Sequence, residues 1–163
     1  MDIKRILERH SHIQVIPYEP QYRDQVLQIA REIHNESIYS DLPMDEDKVI
    51  RQLACCGPHL VPDRYFKIAV RNGEVIGGFF GHVKRTFFCD ELLAHDMGWW
   101  VPSTKRGSAA AIVLLADFEQ WAREQGARKV MVGQSNANNV AGVTKLYLHL
   151  GFKILGFNTV KDL

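Results

Sequence analysis

The stretch from Val101 to Leu115 places a hydrophobic strand end directly before a bend of small residues that opens a helix. The bend reads Arg106-Gly107-Ser108-Ala109-Ala110-Ala111. The first turn of a helix has backbone N–H groups without partners inside the helix, and the aligned peptide dipoles place partial positive charge there. Small side chains let a phosphate approach these groups, and Arg106 adds a forked cation. The sequence therefore predicts a strand, a phosphate-binding bend and a helix, with a tightly packed helix start as the alternative interpretation.

Apolar periodicity divides the rest of the chain into strands and helices. Asn72-Gly73 separates two such runs and favours a type I′ hairpin, because both residues adopt positive φ at low cost. The order predicts a mixed α/β fold with a mostly antiparallel central sheet flanked by helices, in a single domain over residues 1–163. The predicted strands are His12–Pro17, Tyr65–Val70, Glu74–Val83, Leu92–Val101, Lys129–Gly133 and Phe152–Phe157, and the predicted helices are Tyr22–Ser40, Asp45–Cys55, the helix from the bend to Gly126, and Asn139–Leu150.

The composition argues against several function classes. The 163 residues carry a formal net charge of +1, which gives no indication of a nucleic-acid partner. No apolar run reaches the roughly 18 residues that span a bilayer, and no signal sequence is recognisable, so we expect a cytoplasmic protein without a membrane partner. The three cysteines, Cys55, Cys56 and Cys89, have neither zinc-ligand spacing nor an even count, so we expect neither a metal site nor a disulfide framework.

The spacing around the bend resembles a known cofactor-binding motif. Relative to Val101, Arg106 follows at five residues, Ala111 at ten, and a leucine pair at thirteen and fourteen. This is similar to the acetyl-CoA motif of the GCN5-related N-acetyltransferases, the GNAT family. That motif is Arg or Gln, two residues, Gly, one residue, then Gly or Ala, placed after a strand that ends in Val. The resemblance implies that the bend binds the diphosphate of coenzyme A.

One position departs from this motif. Ala109 stands where the family has its first glycine, so a methyl group projects toward the expected diphosphate. A frame that starts at Thr104 would place Gly107 at that position, but it would lose the initial Arg or Gln and the leucine spacing. In the preferred frame, the cofactor-binding residues of the bend are Arg106, Gly107, Ser108, Ala109, Ala110 and Ala111.

A second resemblance to the same family lies downstream, in Leu146-Tyr147-Leu148-His149-Leu150-Gly151-Phe152. The last core helix of the family ends in Leu-Tyr, two or three residues, then Gly-Phe. Its usual asparagine precedes the tyrosine by about seven residues, whereas Asn138 and Asn139 precede Tyr147 by nine and eight. Both asparagines are therefore candidate cofactor-binding residues. Gly151 and Phe152 are also typical of a simple helix stop, and the two interpretations are compatible.

The resemblance also implies where the rest of the cofactor lies. In this family two central strands separate beside the phosphate loop, and the pantetheine arm pairs with backbone groups of the strand that precedes the loop. Here Trp99, Trp100 and Val101 would supply those contacts. Core packing of the two indoles on opposite faces of the strand is an equally good explanation of their side chains.

Acetyl transfer from a thioester to an amine requires a neutral amine and a proton for the departing thiolate. By resemblance, Tyr147 is the proton donor. His95 is the first candidate base, because the ordinary pKa of histidine is near neutrality. It lies six residues before Val101, so regular alternation puts these two residues on one strand face and Asp96 on the opposite face. Glu91, His82 or ordered water are alternative bases. Cys89 as an acyl-carrying nucleophile is a weaker alternative to a buried strand-end cysteine.

These features predict an N-acetyltransferase that moves the acetyl group of acetyl-CoA directly to a primary amine in a ternary complex, without a metal. A catalytically inactive acyl-CoA-binding or protein-interaction module on the same fold is the alternative. A nucleotide-phosphate binder is a more distant one, because the Walker lysine and the acidic ribose contact are missing.

The acceptor is expected to be a small-molecule or peptide amine, contacted by residues 37–44 and 57–64. Acidic residues in and beside the first of these segments make a cationic amine plausible, although such residues are commonly just solvated. The acidic and polar residues in and beside this first segment are Glu36, Tyr39, Asp41, Asp45, Glu46 and Asp47.

An exposed edge of the last strand makes a homodimer possible.

Overall fold

The central element is a five-stranded sheet in which the strands follow one another in chain order. The computed structural model describes residues 3–55, 63–134, 139–156, 159 and 161. The first four strands pair antiparallel, and the fifth pairs parallel with the fourth. The expected mixed α/β fold with a mostly antiparallel sheet is therefore confirmed. The strands are β1 (Gln14–Pro17), β2 (Arg64–Arg71), β3 (Glu74–Arg85), β4 (Leu92–Trp100) and β5 (Lys129–Met131).

The β2–β3 hairpin turns at the predicted dipeptide. Asn72 has φ 53° and Gly73 has φ 77°. Positive φ at both central residues is the requirement of a type I′ turn, whose twist matches that of the flanking strands. The turn fixes the register of the hairpin, which pairs Arg71 with Glu74 and continues as far as Arg64 and His82.

In the part of the chain that the structure describes, five α-helices cover the two faces of the sheet. Four begin as predicted, including the one that Asp45 caps by accepting a hydrogen bond from the Lys48 N–H at 2.8 Å. The first helix was not predicted from the sequence; it packs against the fourth. The helices are α1 (Ile3–Arg9), α2 (Arg23–Asn35), α3 (Glu46–Ala54), α4 (Ala110–Glu124) and α5 (Val140–His149).

Two predicted ends and one predicted strand are wrong. The strand predicted over Lys129–Gly133 ends at Met131, where the pairing with β4 stops. Helix α2 ends at Asn35 rather than Ser40, because the Ser37 hydroxyl donates to the His34 carbonyl and accepts from the Tyr39 N–H. Such side-chain bonds compete with helix propagation. Residues 152–156 form no strand. Ile154 and Leu155 are exposed, with Leu155 83% accessible, whereas Phe152 is half-buried against the Tyr147 ring. Phe157, the end of that predicted strand, lies outside the described residues.

The core consists of two clusters, one on each face of the sheet. On the α4 face, Phe79 of β3 stacks on Phe118 of α4 with ring centroids 4.3 Å apart, and both rings are fully buried. On the α2 and α3 face, Val26 and Leu53 pack against Ile68 of β2. Burial of apolar side chains on both faces fixes the strand register, since a shift by one residue would exchange the two sets.

A polar contact fastens α4 to β2 beside the first cluster. The Tyr65 hydroxyl donates to Asp117 at 2.9 Å, and the Lys67 ammonium lies 2.7 Å from the same carboxylate. Burial, followed by the Asp117 charge, raises the pKa of Tyr65, so the phenol remains protonated and acts as a donor. The contact therefore pairs a carboxylate that would otherwise be left without partners at the edge of the core.

Glycines in β3 allow large rings to pack directly on the strand backbone. A Cβ added at Gly81 would lie 2.6 Å from Cε2 of Phe118 and 2.8 Å from the His95 carbonyl oxygen. At Gly78 it would lie 2.8 Å from the Trp100 ring. Neither glycine has a positive φ, so steric space rather than backbone conformation determines these positions.

We therefore expect Gly81→Ala to lower the free energy of unfolding by about 1–3 kcal/mol, because the added methyl group overpacks the contact with Phe118. Urea unfolding of both proteins measures the difference. Gly133→Ala is the matched control, since its added Cβ would meet nothing within 4 Å and the residue is exposed. Equal losses in the two variants would contradict the packing explanation.

Candidate active site

A bulge in β4 determines which of its side chains face the candidate site. Phe80 pairs with Gly98, whereas the next residue, Gly81, pairs with Asp96, so Met97 has no partner on β3. An extra residue reverses the alternation of side chains along a strand. Asp96 consequently shares the α4 face with Trp99, and His95 does not.

The ladder between β4 and β5 ends at the bulge. Three residue pairs join the strands, from Leu93–Lys129 to His95–Met131. Beyond them Gly133 makes two side-chain contacts instead: its N–H donates to Asp96 Oδ1 at 3.0 Å, and its carbonyl accepts from the Tyr147 hydroxyl at 3.0 Å. Among the described residues, no strand pairs with β4 on this side beyond His95.

A cavity of about 810 Å³ occupies the gap between the separated strands. Its walls include Trp99 and Tyr147 from the α4 face and Phe80 and Trp100 from the α2 face. The cavity therefore connects the two faces of the sheet through the gap. A cleft of this volume is typical of sites that bind small molecules and cofactors.

The bend between β4 and α4 presents unpaired backbone donors. Gly107 has φ 86°, and α4 begins at Ala110. The Ala110 N–H donates to the Ser108 hydroxyl at 3.3 Å. In the described part of the chain no acceptor pairs with the N–H groups of Gly107, Ala109, Ala111 and Ile112. Such a set at a helix N-terminus is a suitable anion site.

Carboxylates of α2 and of the residue that follows it hold the bend in place. Glu32 accepts a hydrogen bond from the Ser103 N–H, and the pKa of Glu32 is lowered first by the hydrogen bond of the Ser103 side chain and then by that of its N–H. Glu36 forms an ion pair with Arg106, which is 44% exposed. Arg106 therefore lines the cavity as predicted but is engaged with Glu36, so a phosphate would share or replace that partner.

The two tryptophans of β4 lie on opposite faces, as expected. The Trp99 ring lies 5.7 Å from the Tyr147 ring, and the Trp100 ring lies 6.0 Å from the Phe66 ring. Both line the cavity, as does Val101. Core packing and cavity lining are therefore combined in the same side chains.

Asp96 and Tyr147 form the polar group of the cavity. Burial raises the pKa of Asp96 to about 6, partly offset by the hydrogen bond from Gly133. Burial, followed by the Asp96 charge, raises the pKa of Tyr147. At neutral pH the structure therefore holds a charged carboxylate and a protonated phenol, a pair suited to accept one proton and donate another.

The prediction that His95 shares a face with Val101 is wrong, because it assumed regular alternation through Met97. His95 does not line the cavity, and its ring lies 5.6 Å from that of His82. Burial lowers the pKa of both imidazoles. His82 and Glu91 are also absent from the cavity wall, so Asp96 is the candidate base that the structure brings to the site.

The remaining predicted residues fall into three groups. Gly107, Ser108, Ala111 and Asn139 line the cavity. Asn139 has φ 47° and caps α5, with its side chain accepting from the Gly142 N–H. Asn138 lies outside the described residues. Ala109, Ala110 and Cys89 do not line the cavity. Ala110 is fully buried in the α4-face cluster. Cys89 is exposed, whereas it was expected to be buried.

The acetyltransferase (GNAT) family profile matches residues 23–152, which include the sheet from β2 to β5, the bend and Tyr147. The chain belongs to the GNAT acetyltransferase family. No curated protein sequence matches this GNAT chain at a significant level.

Solved structures share the fold of this GNAT protein at low sequence identity. A Trypanosoma brucei acetyltransferase superimposes with a TM-score of 0.68 at 15% identity, covering 93% of this chain and 99% of its own. The aminoglycoside acetyltransferase AAC(6′)-Iy, in complex with the bisubstrate analogue CoA-S-monomethyl-acetylneamine, gives 0.71 at 15% identity, with 93% and 98% covered. An aminoglycoside acetyltransferase from an uncultured soil metagenomic sample, in complex with sisomicin, gives 0.67 at 13% identity, with 94% and 98% covered.

Two structural absences apply to the described residues of this GNAT protein. None of their helices has the length and apolar character needed to cross a membrane. None of their His, Cys, Asp and Glu side chains form a group of three or more that is arranged to hold a metal ion.

The raised pKa of Asp96 predicts a pH-dependent effect on stability. The folded-state pKa is about 6 against an ordinary value of 3.8, so the contribution to stability is fully present below about pH 4. It is lost as pH rises through about 6, and a shift of about two units corresponds to about 3 kcal/mol. Asp96→Asn keeps an acceptor for Gly133 but does not ionise, so its stability relative to wild type should rise by about 2–3 kcal/mol between about pH 4 and about pH 7.

Urea unfolding of wild type and Asp96→Asn across this range measures the difference. Asp90→Asn is the control, because Asp90 is fully exposed in the β3–β4 loop. If the difference in free energy of unfolding between wild type and Asp96→Asn stays constant with pH, the burial of a titrating carboxylate at this position would be contradicted.

Proposed function

We propose that this protein is an N-acetyltransferase that moves the acetyl group of acetyl-CoA to a primary amine by direct attack in a ternary complex. The observation that carries the proposal is the cavity beside β4, beyond its pairing with β5, which joins Gly107 and Ala111 of the bend to Asp96 and Tyr147. Acetyl-CoA supplies an activated acyl group as a thioester. The chain supplies binding groups and proton transfer.

The bend is the proposed site for the diphosphate. The N–H groups of Gly107, Ala109, Ala111 and Ile112 are the donors, and Arg106 adds positive charge. Ala109 replaces the glycine of the family motif, but its backbone N–H is still unpaired. The departure from the motif therefore does not remove a donor. The chemistry of this donor set fits a diphosphate.

The separated strand is the proposed site for the pantetheine arm. Beyond His95, β4 has no strand partner on the β5 side among the described residues, so its backbone groups are available to an extended amide-containing chain. An extended ligand that adds to a free strand edge gains main-chain hydrogen bonds in the same way as an added strand. Trp99 and Val101 line this part of the cavity.

Asp96 is the proposed base. It is the one carboxylate among the described residues that line the cavity, and its pKa near 6 leaves it ionised at neutral pH. It would accept the proton of the attacking amine, directly or through water. His95, which was the first candidate from the sequence, does not reach the cavity wall.

Tyr147 is the proposed acid. Its raised pKa keeps the phenol protonated, and its hydroxyl now donates to the Gly133 carbonyl at 3.0 Å. In the reaction it would instead donate its proton to the departing thiolate. The ring contact with Trp99 holds the phenol at the gap.

Coenzyme A binding is expected to raise the melting temperature of the protein more than ATP or NAD does at equal concentration. Arg106→Gln should weaken CoA binding about fivefold, because a partly exposed ion pair contributes up to about 1 kcal/mol. Glu36→Gln should bind CoA at least as tightly as wild type, since it releases Arg106 and removes a negative charge from the bend. Thermal shift and titration calorimetry measure both effects.

Arg128→Gln is the matched control, because Arg128 is exposed and does not line the cavity. An absence of any shift with CoA and acetyl-CoA would refute the proposed function. Equal CoA affinity in Arg106→Gln and in wild type would refute the assigned role of Arg106.

Tyr147→Phe should lower kcat by about 10²-fold or more, which is typical for loss of a general acid, while CoA affinity stays within about twofold. Thiol release with an excess of amine measures turnover. Tyr22→Phe serves as the control, since Tyr22 does not line the cavity. Wild-type turnover in Tyr147→Phe would remove the acid role, and CoA binding without turnover on any amine would favour the acyl-CoA-binding module.

A further inference from the structure

The cavity extends well beyond the proposed cofactor contacts, into the space between the sheet and the first part of the helical layer. This part, the acceptor half, is lined by Val26, Ile33, Met44, Val49, Leu53 and Phe80. These residues come from α2, from α3 and the segment before it, and from β3. Apart from Met44 they belong to the α2-face cluster, whereas Tyr147 packs against Trp99 on the α4 face, so a second ligand can occupy this half beside the cofactor.

The acceptor half is apolar where it is deepest. Val26 is 2% exposed and Leu53 is 6% exposed, and both belong to the α2-face core cluster. Trp100 and Phe80 of the sheet complete this wall. Apolar atoms of a ligand that contact this wall are removed from water, and this removal favours binding. The wall therefore suits a ligand with an apolar or aromatic body.

Three of the acidic residues near this half are engaged elsewhere. Glu36 pairs with Arg106, Glu46 pairs with Arg31 at 2.5 Å, and Asp45 caps α3. None of these three carboxylates lines the cavity. Asp41 and Asp47 do not line it either, so the expectation of a cationic amine gains no support from the wall of the acceptor half.

The charge that the acceptor half does present is positive. Lys48 lines its exposed rim, and the described residues include no ion-pair partner for its ammonium group. A polycationic ligand would have to lose water without gaining a carboxylate partner here, and it would face a like charge. A carboxylate on the ligand would instead gain the Lys48 ammonium group as an ion-pair partner.

We propose that the acceptor is a primary amine on an apolar body that carries a carboxylate directed toward Lys48. This inference rests on the proposed acetyltransfer at the same cavity and names its substrate class. The amine lies toward Asp96, the apolar body lies against Val26, Leu53 and Phe80, and the carboxylate lies at the rim. Polyamines and aminoglycosides are disfavoured, although AAC(6′)-Iy shares the fold.

A matched set of amines tests this assignment. The probes are 4-(2-aminoethyl)benzoate, its neutral analogue 4-(2-aminoethyl)benzamide, spermidine and neamine, each with acetyl-CoA. The benzoate should give the highest kcat/KM, about two- to fivefold above the benzamide, as expected for one exposed ion pair. Spermidine and neamine should be at least about tenfold poorer than the benzamide, because their additional charges lack partners.

Lys48→Glu should reverse the order of the benzoate and the benzamide, with CoA affinity unchanged. Lys4→Glu introduces the same change of charge on α1, away from the cavity wall, and should leave the order as in wild type. A benzoate-to-benzamide ratio that is unchanged in Lys48→Glu would overturn the role of Lys48.

The two levels of the proposal fail in different ways. An absence of CoA binding would overturn the proposed function itself. Normal CoA binding with turnover highest on spermidine or neamine, or with none of the four amines acetylated, would overturn the acceptor class.

Discussion

Gly133 keeps the chain that continues beyond β5 apart from β4, and the site depends on this separation. Its N–H is bound by Asp96 and its carbonyl by Tyr147, each at 3.0 Å, where a regular ladder would have used the β4 backbone. Two side chains therefore replace a strand pairing. The gap that results connects the two faces of the sheet, and the same two side chains become the polar groups of the cavity.

The bulge at Met97 and the bend before α4 complete this arrangement. Without the extra residue, Asp96 would face α2 and its contact with Gly133 would be lost. The bend places unpaired N–H groups at one end of the gap, and Glu32 fixes its position by accepting the Ser103 N–H. Cofactor binding and proton transfer therefore depend on backbone geometry that a few side-chain contacts maintain.

Much of this could be predicted from the sequence, because it rests on local signals. The Asn72-Gly73 turn, the Asp45 cap and the small residues of the bend each determine local backbone geometry, and the structure has all three. The bulge could not be predicted, since Met97 carries no local signal that it lacks a partner on β3. The predicted face of His95 was wrong for that reason alone.

The substrate side was less predictable for a different physical reason. A sequence gives the charges of Glu36, Asp45 and Glu46 but not their partners, and each partner here is distant or structural: Arg106, the α3 N-terminus and Arg31. The apolar wall likewise arises from separate elements, α2, α3 and β3, which only the fold brings together.

The most direct test of the central claim is an amide chemical-shift titration with coenzyme A. The largest changes should occur at Gly107, Ala109, Ala111 and Ile112, at Trp99 of β4 and at Val101 just after it, because their backbone groups are the proposed contacts. Unchanged amides at these positions under saturating coenzyme A, or changes concentrated elsewhere, such as the exposed Phe87 and Phe88 loop, would contradict the central claim.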